Sequence, residues 1–290
     1  MDVARRVFEV IGSIAPPQTT REVLEGLTGH RASRIQVSRD GLDAIDFLSR
    51  ELDFGASVAD YKIVCVPKRS LCGWSDLVSD TLPLSSPHGE YLIYVGATKR
   101  DAENARIADA SCDSRGFGEL AGIPECCRTF FVQQVEGVAE GDPLKVVLDR
   151  SQSTKLVPMG CNIAAQFIGL GFLSHYPCSL GCQATALVSR SRYELMSRVN
   201  VDFANELRRG LSFAYLITGV GLSAFQCNPG SWPTKENLVT HLGETRDWED
   251  EATEFQISSR GQLEARRNGK VITQVQWPEA FLLRPSCRWT

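Results

Sequence analysis

Gln262-Leu263-Glu264-Ala265-Arg266-Arg267-Asn268-Gly269-Lys270-Val271-Ile272-Thr273-Gln274-Val275 is the stretch whose reading decides the fold class. Asn268-Gly269 sits between two segments that alternate apolar and polar residues. Both residues of that pair tolerate positive φ, which the tight primed turns of hairpins require. The stretch therefore predicts an antiparallel hairpin, with Glu254–Ile257 as a further strand before it.

Upstream the pattern changes period. Asp2 to Ile14, Thr19 to Thr28 and Leu42 to Leu52 carry apolar residues at helical spacing. Thr19 and Glu22 have the spacing of a capping box. Tyr61–Val66 and Glu90–Val95 are β-branched runs stopped by Pro67 and Gly96, and the Pro- and Ser-rich Leu82–Gly89 reads as the loop between them. A helix over Asp101 to Ala110 follows. The middle reads as helical: Pro124 to Val135, the apolar Asn162 to Leu173, and Ser179 to Val199. Asp202 to Leu222 adds one or two helices, with Leu211 to Phe225 as a buried one in which Gly219 and Gly221 form a packing notch. Leu222 to Asp250 reads as a long connection. The expected class is α+β: a helical core with a small, mostly antiparallel sheet that includes the C-terminal hairpin and is completed by the strands near Tyr61 and Glu90. One domain is expected over 1–290, with a helical region 1–55, a Cys/His-motif core 56–200, and a helical then β-hairpin region 201–290.

Composition narrows the function. The 290 residues are 43% hydrophobic and 23% charged, ordinary for a globular chain, with a net charge of −4. An acidic balance argues against a nucleic-acid partner, because phosphate binding needs a basic surface. The N-terminus lacks a continuous apolar run, and no stretch approaches a membrane span. The expected location is the cytoplasm, where ten cysteines are reduced thiols, metal ligands or catalysts.

The chemistry concentrates in Gly122-Ile123-Pro124-Glu125-Cys126-Cys127 and His175-Tyr176-Pro177-Cys178-Ser179-Leu180-Gly181-Cys182. Both read as helix starts with proline in the first turn. A helix start lowers a thiol's pKa and favours the thiolate, which binds metals and attacks electrophiles. Cys178 and Cys182 are four apart and would share a helix face. His175 joins them. One of Cys126 or Cys127 would complete the set, since adjacent helical residues diverge by about 100°. The candidate metal ligands are thus Cys126, Cys127, His175, Cys178 and Cys182, and the candidate catalytic groups Cys126, His175 and Cys178. Such soft ligands suit zinc or an iron–sulfur cluster. Cys112 and Cys161 are spare candidates. Cys65, Cys72, Cys227 and Cys287 read as buried apolar residues. Arg190 and Arg198, eight apart on the following helix, are candidates for an anionic substrate group. No nucleophile elbow, zincin motif or phosphate loop is present.

At these residues the chain resembles an uncharacterised prokaryotic family, a domain of unknown function. Its members pair a Gly-aromatic-Pro-x-Cys-Cys segment with a later His-x-Pro-Cys-Ser-x-x-Cys segment. The resemblance spans 90–200, and Ile123 stands where the family has an aromatic residue. It implies that Cys126, Cys127, His175, Cys178 and Cys182 form one unit, and it implies no activity.

The leading expectation is a cytoplasmic enzyme of small-molecule, specialised-metabolite biosynthesis, with a zinc or iron–sulfur site at two helix N-termini. Its partner is a small-molecule substrate, with no nucleic acid and no membrane; no oligomeric state and no reaction class are readable. One alternative is a metal-free transferase or ring-closing enzyme that holds a phosphate, sulfate or carboxylate at the helix starts. The other is a non-catalytic, metal-stapled binding or scaffold protein.

Overall fold

The computed structural model describes residues 3–15, 17–28, 32–67, 77–134, 143–151, 157–218, 221–227, 231–243, 249, 251–257, 262–275 and 280–284. The fold is α+β. Its first half runs α1 (Val3–Ile11), α2 (Pro17–Thr28), β1 (Ser33–Val37), α3 (Arg39–Leu52), β2 (Gly55–Pro67), β3 (Leu77–Pro83), β4 (Glu90–Gly96), α4 (Lys99–Ala110), α5 (Ser114–Leu120), α6 (Glu125–Gln134) and α7 (Pro143–Arg150). The strands form one antiparallel sheet in the order β1-β4-β2-β3.

β4 shows why this sheet is covered on both faces. Its residues alternate, as a strand requires. Tyr91, Ile93 and Val95 join the main core with Val23 and Leu24 of α2 and Ile45 and Leu48 of α3. Leu92 and Tyr94 point the other way, into a smaller core with Ala105 of α4. α4 starts at a capping box: Asp101 N–H donates to Thr98 Oγ1 at 3.1 Å, and Thr98 N–H to Asp101 Oδ2 at 3.1 Å. Ala102, Ala105 and Ala108 give α4 a flat buried face that lies on the sheet. β1 is the element that periodicity left unassigned. Its buried-exposed alternation over five residues is a short strand signal.

The second half begins with two 3-10 turns, Met159–Cys161 and Ile163–Ile168, where an apolar helix is expected. They are buried, as expected, but tertiary bonds replace the helical ladder. Asn162 Nδ2 donates to the carbonyls of Leu211 (2.8 Å) and Phe213 (3.1 Å). Then come α8 (Gln183–Val199) and α9 (Val201–Ser212).

The expected helix over Leu211 to Phe225 is instead a hairpin, β5 (Ala214–Thr218) and β6 (Gly221–Phe225). The reason is visible in the packing. Tyr215 and Ile217 face the main core, and Ala214 and Leu216 face a C-terminal core. A strand buried on both faces loses its alternation and reads like a buried helix. Gly219 and Val220 lie outside the described residues.

β7 (Leu238–Gly243) falls within the expected connection, followed by β8 (Glu254–Ile257), β9 (Leu263–Arg267), β10 (Lys270–Val275) and β11 (Ala280–Leu283). One sheet has the order β11-β5-β6-β7 and another β10-β9-β8. They share a core of Leu216, Phe225, Phe255, Leu263, Ala265 and Val275. Asn268 (φ 52°) and Gly269 (φ 76°) form the β9–β10 turn, as the sequence predicts. The strands around Tyr61 and Glu90 do not complete this C-terminal sheet. They pair with each other and with β1.

Candidate metal centre

α6 starts at Pro124, whose carbonyl accepts from the N–H groups of Cys127 (2.9 Å) and Arg128 (3.0 Å). Cys126 and Cys127 thus sit in the first turn. The second cysteine segment differs from expectation. α8 starts at Gln183, so Pro177 and Cys178 lie in the turn before it and Cys182 occupies the N-cap. Leu180, fully buried, anchors this turn, and its N–H donates to Ser151 Oγ at 2.9 Å.

The two segments meet. The sulfurs of Cys126, Cys127, Cys178 and Cys182 all lie within 4.8 Å of one another, close enough to hold a metal ion. Cys126–Cys182 and Cys127–Cys182 are each 3.7 Å apart, and Cys126–Cys127 is 3.9 Å. Cys178 N–H donates to Cys127 Sγ at 3.4 Å. Cys127 and Cys182 are buried, Cys178 is half-buried and Cys126 is exposed.

Cys126 and Cys127 both reach the cluster, against the expectation that only one would. Helical Cα–Cβ bonds tilt toward the N-terminus. First-turn side chains therefore converge on a point off the helix end, and their 100° divergence around the axis matters less than it would mid-helix.

His175 is not among the four. Its Nε2 lies 3.2 Å from Thr185 Oγ1, and that hydroxyl lies 3.2 Å from Cys127 Sγ. The residue is 7% exposed, and Nδ1 has no hydrogen-bond partner among the described residues. Burial, then the charges of Arg192 and Arg21, pull the imidazole down to about 3. It is neutral at pH 7, and it supports the cluster through Thr185 rather than belonging to it. Thr185 is the residue that the sequence reading missed. Its only signal is its place three residues after Cys182, in the first turn of α8.

The thiols are strongly unlike one another. Cys182 is pulled below the ordinary thiol range, first by its bond from Cys127 and then by Thr185. Cys127 is pushed up by that same bond and by burial, and Cys178 by burial and the charge of Cys182. One thiolate is favoured and holds its neighbours' protons in place. A bound cation would reverse this, because metal ligands bind deprotonated.

The spare candidates do not join. Cys161 is buried, donates to the Cys182 carbonyl at 3.1 Å, and is pushed up to about 12 by burial. Cys112 is exposed. Cys227 is half-buried, Cys65 lies in β2 with its side chain not described, and Cys72 and Cys287 lie outside the described residues.

The arginine candidates are also elsewhere. Arg190 and Arg198 are exposed, about two and four turns along α8, and Arg190 pairs with Glu194 at 3.1 Å. At the α6 start, Arg115 and Arg128 both bind Glu125. The helix start already has its carboxylate, which removes the support for an anion pocket there. Among the described residues, no helix is long and apolar enough to cross a membrane.

The chain matches no protein-family model, no curated protein and no solved structure.

Proposed function

We propose that this protein holds one tetrahedral metal ion, zinc, through Cys126, Cys127, Cys178 and Cys182, and that the ion staples the α6 start to the turn before α8. One observation carries the reading: the sulfur separations of 3.7, 3.7 and 3.9 Å. A tetrahedral ion with zinc–sulfur bonds of about 2.3 Å requires sulfurs about 3.8 Å apart. A four-iron cluster places a separate iron behind each thiolate and spreads the sulfurs beyond such an edge. The separations therefore favour zinc over the iron–sulfur alternative. Four thiolates also close the coordination shell, which is the pattern of structural zinc.

A second reading keeps the ion catalytic, in an enzyme of small-molecule metabolism. The exposure of Cys126 favours it. The other three cysteines are buried or half-buried, so Cys126 is where a small molecule would reach the shell. The resemblance to the uncharacterised prokaryotic family is compatible with either reading, since it implies one unit and no activity.

Elemental analysis of anaerobically purified protein tests the proposal, followed by cobalt exchange and visible spectroscopy. About one zinc per chain and a tetrahedral four-thiolate cobalt spectrum are expected. Chelation should lower the melting temperature. Iron with a broad visible absorption, or full metal occupancy in Cys127→Ser, would overturn it. Loss of metal from Cys126→Ser supports the staple; retained metal with altered cobalt colour supports the open shell.

A further inference from the structure

The four clustered sulfurs are alike in chemistry and unlike in access. Cys127 and Cys182 are buried, Cys178 is half-buried, and Cys126 is exposed. A solute that reacts with thiolates therefore meets the cluster first at Cys126. The Cys126 sulfur lies 3.7 Å from that of Cys182 and 3.9 Å from that of Cys127. A reaction at Cys126 thus has a second sulfur within immediate reach.

The backbone decides which neighbour that is. Cys126 and Cys127 are adjacent in the first turn of α6, so their Cα atoms stand about 3.8 Å apart across a trans peptide. A disulfide needs Cα atoms about 4.4–6.8 Å apart. Bridging that pair would distort the helix start, where the Pro124 carbonyl accepts from Cys127 and Arg128 N–H. Cys182 carries no such restriction. It is the α8 N-cap, on a separate segment. Its carbonyl is fixed by donation from Cys161 Sγ (3.1 Å) and Ala186 N–H (3.0 Å). Bringing the two sulfurs together therefore moves chiefly the exposed Cys126 side chain.

We infer that Cys126 is a site of oxidation by hydrogen peroxide, that Cys182 is its resolving partner, and that the reaction expels the bound ion. The expulsion rests on the zinc reading above; the cross-link does not. In the first step the Cys126 thiolate takes one peroxide oxygen, becoming a sulfenic acid, and hydroxide leaves. In the second the Cys182 thiolate attacks the Cys126 sulfur, the S–S bond forms, the S–O bond breaks and a second hydroxide leaves. Two thiolates lose two electrons, and one peroxide becomes two hydroxide ions. Metal ligands are already deprotonated, so both steps start from the nucleophilic form. The ion then keeps only Cys127 and Cys178 and is released. A dithiol reverses the cross-link and is itself oxidised to a disulfide. Oxidation thus exchanges a four-sulfur tie between the α6 start and the turn before α8 for one covalent bond between the same two segments.

The test treats zinc-loaded protein, its metal content measured beforehand, with hydrogen peroxide and a chromophoric zinc chelator. Free thiols are then blocked with N-ethylmaleimide and the digest is mapped by mass spectrometry. Zinc release and a Cys126–Cys182 cross-link should rise together, and dithiothreitol should remove the cross-link. Cys112, exposed and outside the cluster, is the control: Cys112→Ser should release zinc at the parent's rate. Cys182→Ser should leave a sulfenic acid on Cys126 that dimedone captures. Should that variant fail to fold, the cross-link map of the parent carries the test. The same map on reduced protein that never held zinc separates the two readings. A Cys126–Cys182 disulfide there supports the oxidation site even where the zinc proposal has failed. Zinc retained with all four cluster thiols free, after peroxide has oxidised Cys112, overturns the inference and leaves the staple standing. A cross-link through another pair of cysteines, or dimedone captured on Cys127 or Cys178 instead, overturns it as well.

Discussion

Acid should destabilise this protein through His175, and by an amount that the structure sets. The folded ring resists protonation down to about 3, against 6.5 for an ordinary histidine. In the unfolded chain it takes up a proton near 6.5. The folded pKa is depressed, so between these two values the unfolded state binds more protons. Stability then falls as pH falls, by about 1.4 kcal/mol per pH unit once below 6.5. From pH 7 to pH 5 the loss from this one group is about 2 kcal/mol. It levels off below about 3, where the folded ring also protonates. Glu22 works in the opposite direction, because its raised folded pKa adds stability as pH falls. The assay must separate the two. Urea unfolding of reduced, metal-free protein at pH 7 and pH 5, in the parent and in His175→Gln, does so. Glutamine keeps a donor for Thr185 and cannot titrate. Glu22 cancels in the comparison, and the parent should lose about 2 kcal/mol more than the variant. Equal losses, or an imidazole that titrates near 6.5 in the folded protein, would refute the reasoning.

Two further predictions concern the packing of the cluster. Thr185→Val keeps the volume of a fully buried side chain but removes the hydroxyl shared by Cys127 Sγ and His175 Nε2; metal affinity, read by chelator competition, should fall about 10- to 100-fold, as for other lost outer partners of metal ligands. Gly160→Ala would place a methyl group 2.9 Å from the Ala186 Cα and 3.0 Å from its carbonyl oxygen; it should destabilise by about 1–3 kcal/mol in denaturant unfolding, because a backbone neighbour cannot rotate away.

Much of the fold was legible because local chemistry decided it. Asn268-Gly269 sets its own turn, and Thr98 caps α4 through Asp101 three residues on. The cysteine segments were legible as a pair for a similar reason: proline and cysteine type mark them without any knowledge of contacts. What escaped depends on the far side of the chain. The β5–β6 hairpin is apolar throughout because one face meets helices and the other meets the C-terminal core, and no local period records two partners. His175 looked like a ligand by spacing. Only the intervening Thr185 hydroxyl, ten residues later, shows that it acts one step removed. Nothing in the local pattern of α8 marks Arg192 as a buried residue. Glu25, far away on α2, is what takes it inside.

That last pair connects the two halves of the argument. Thr185, Ser189 and Arg192 lie at i, i+4 and i+7, on one buried face of α8. The first touches Cys127 Sγ and the last touches Glu25. The strand of chain between Phe172 and Cys182 is therefore gripped at both ends. The Phe172 carbonyl accepts from Arg21 at 3.0 Å and from Arg192 at 2.7 Å, and Cys178 N–H donates to Cys127 Sγ at the other end. Burying Arg21, Arg192, Glu22 and Glu25 together adds little stability by itself, since desolvation offsets the attraction. Fixing the path of this segment is a better account of the network, because the segment carries His175, Cys178 and Cys182. An α8 displaced by loss of the Arg192–Glu25 pair would move Thr185 away from Cys127. The ionic network and the thiol cluster are thus two clamps on one piece of chain.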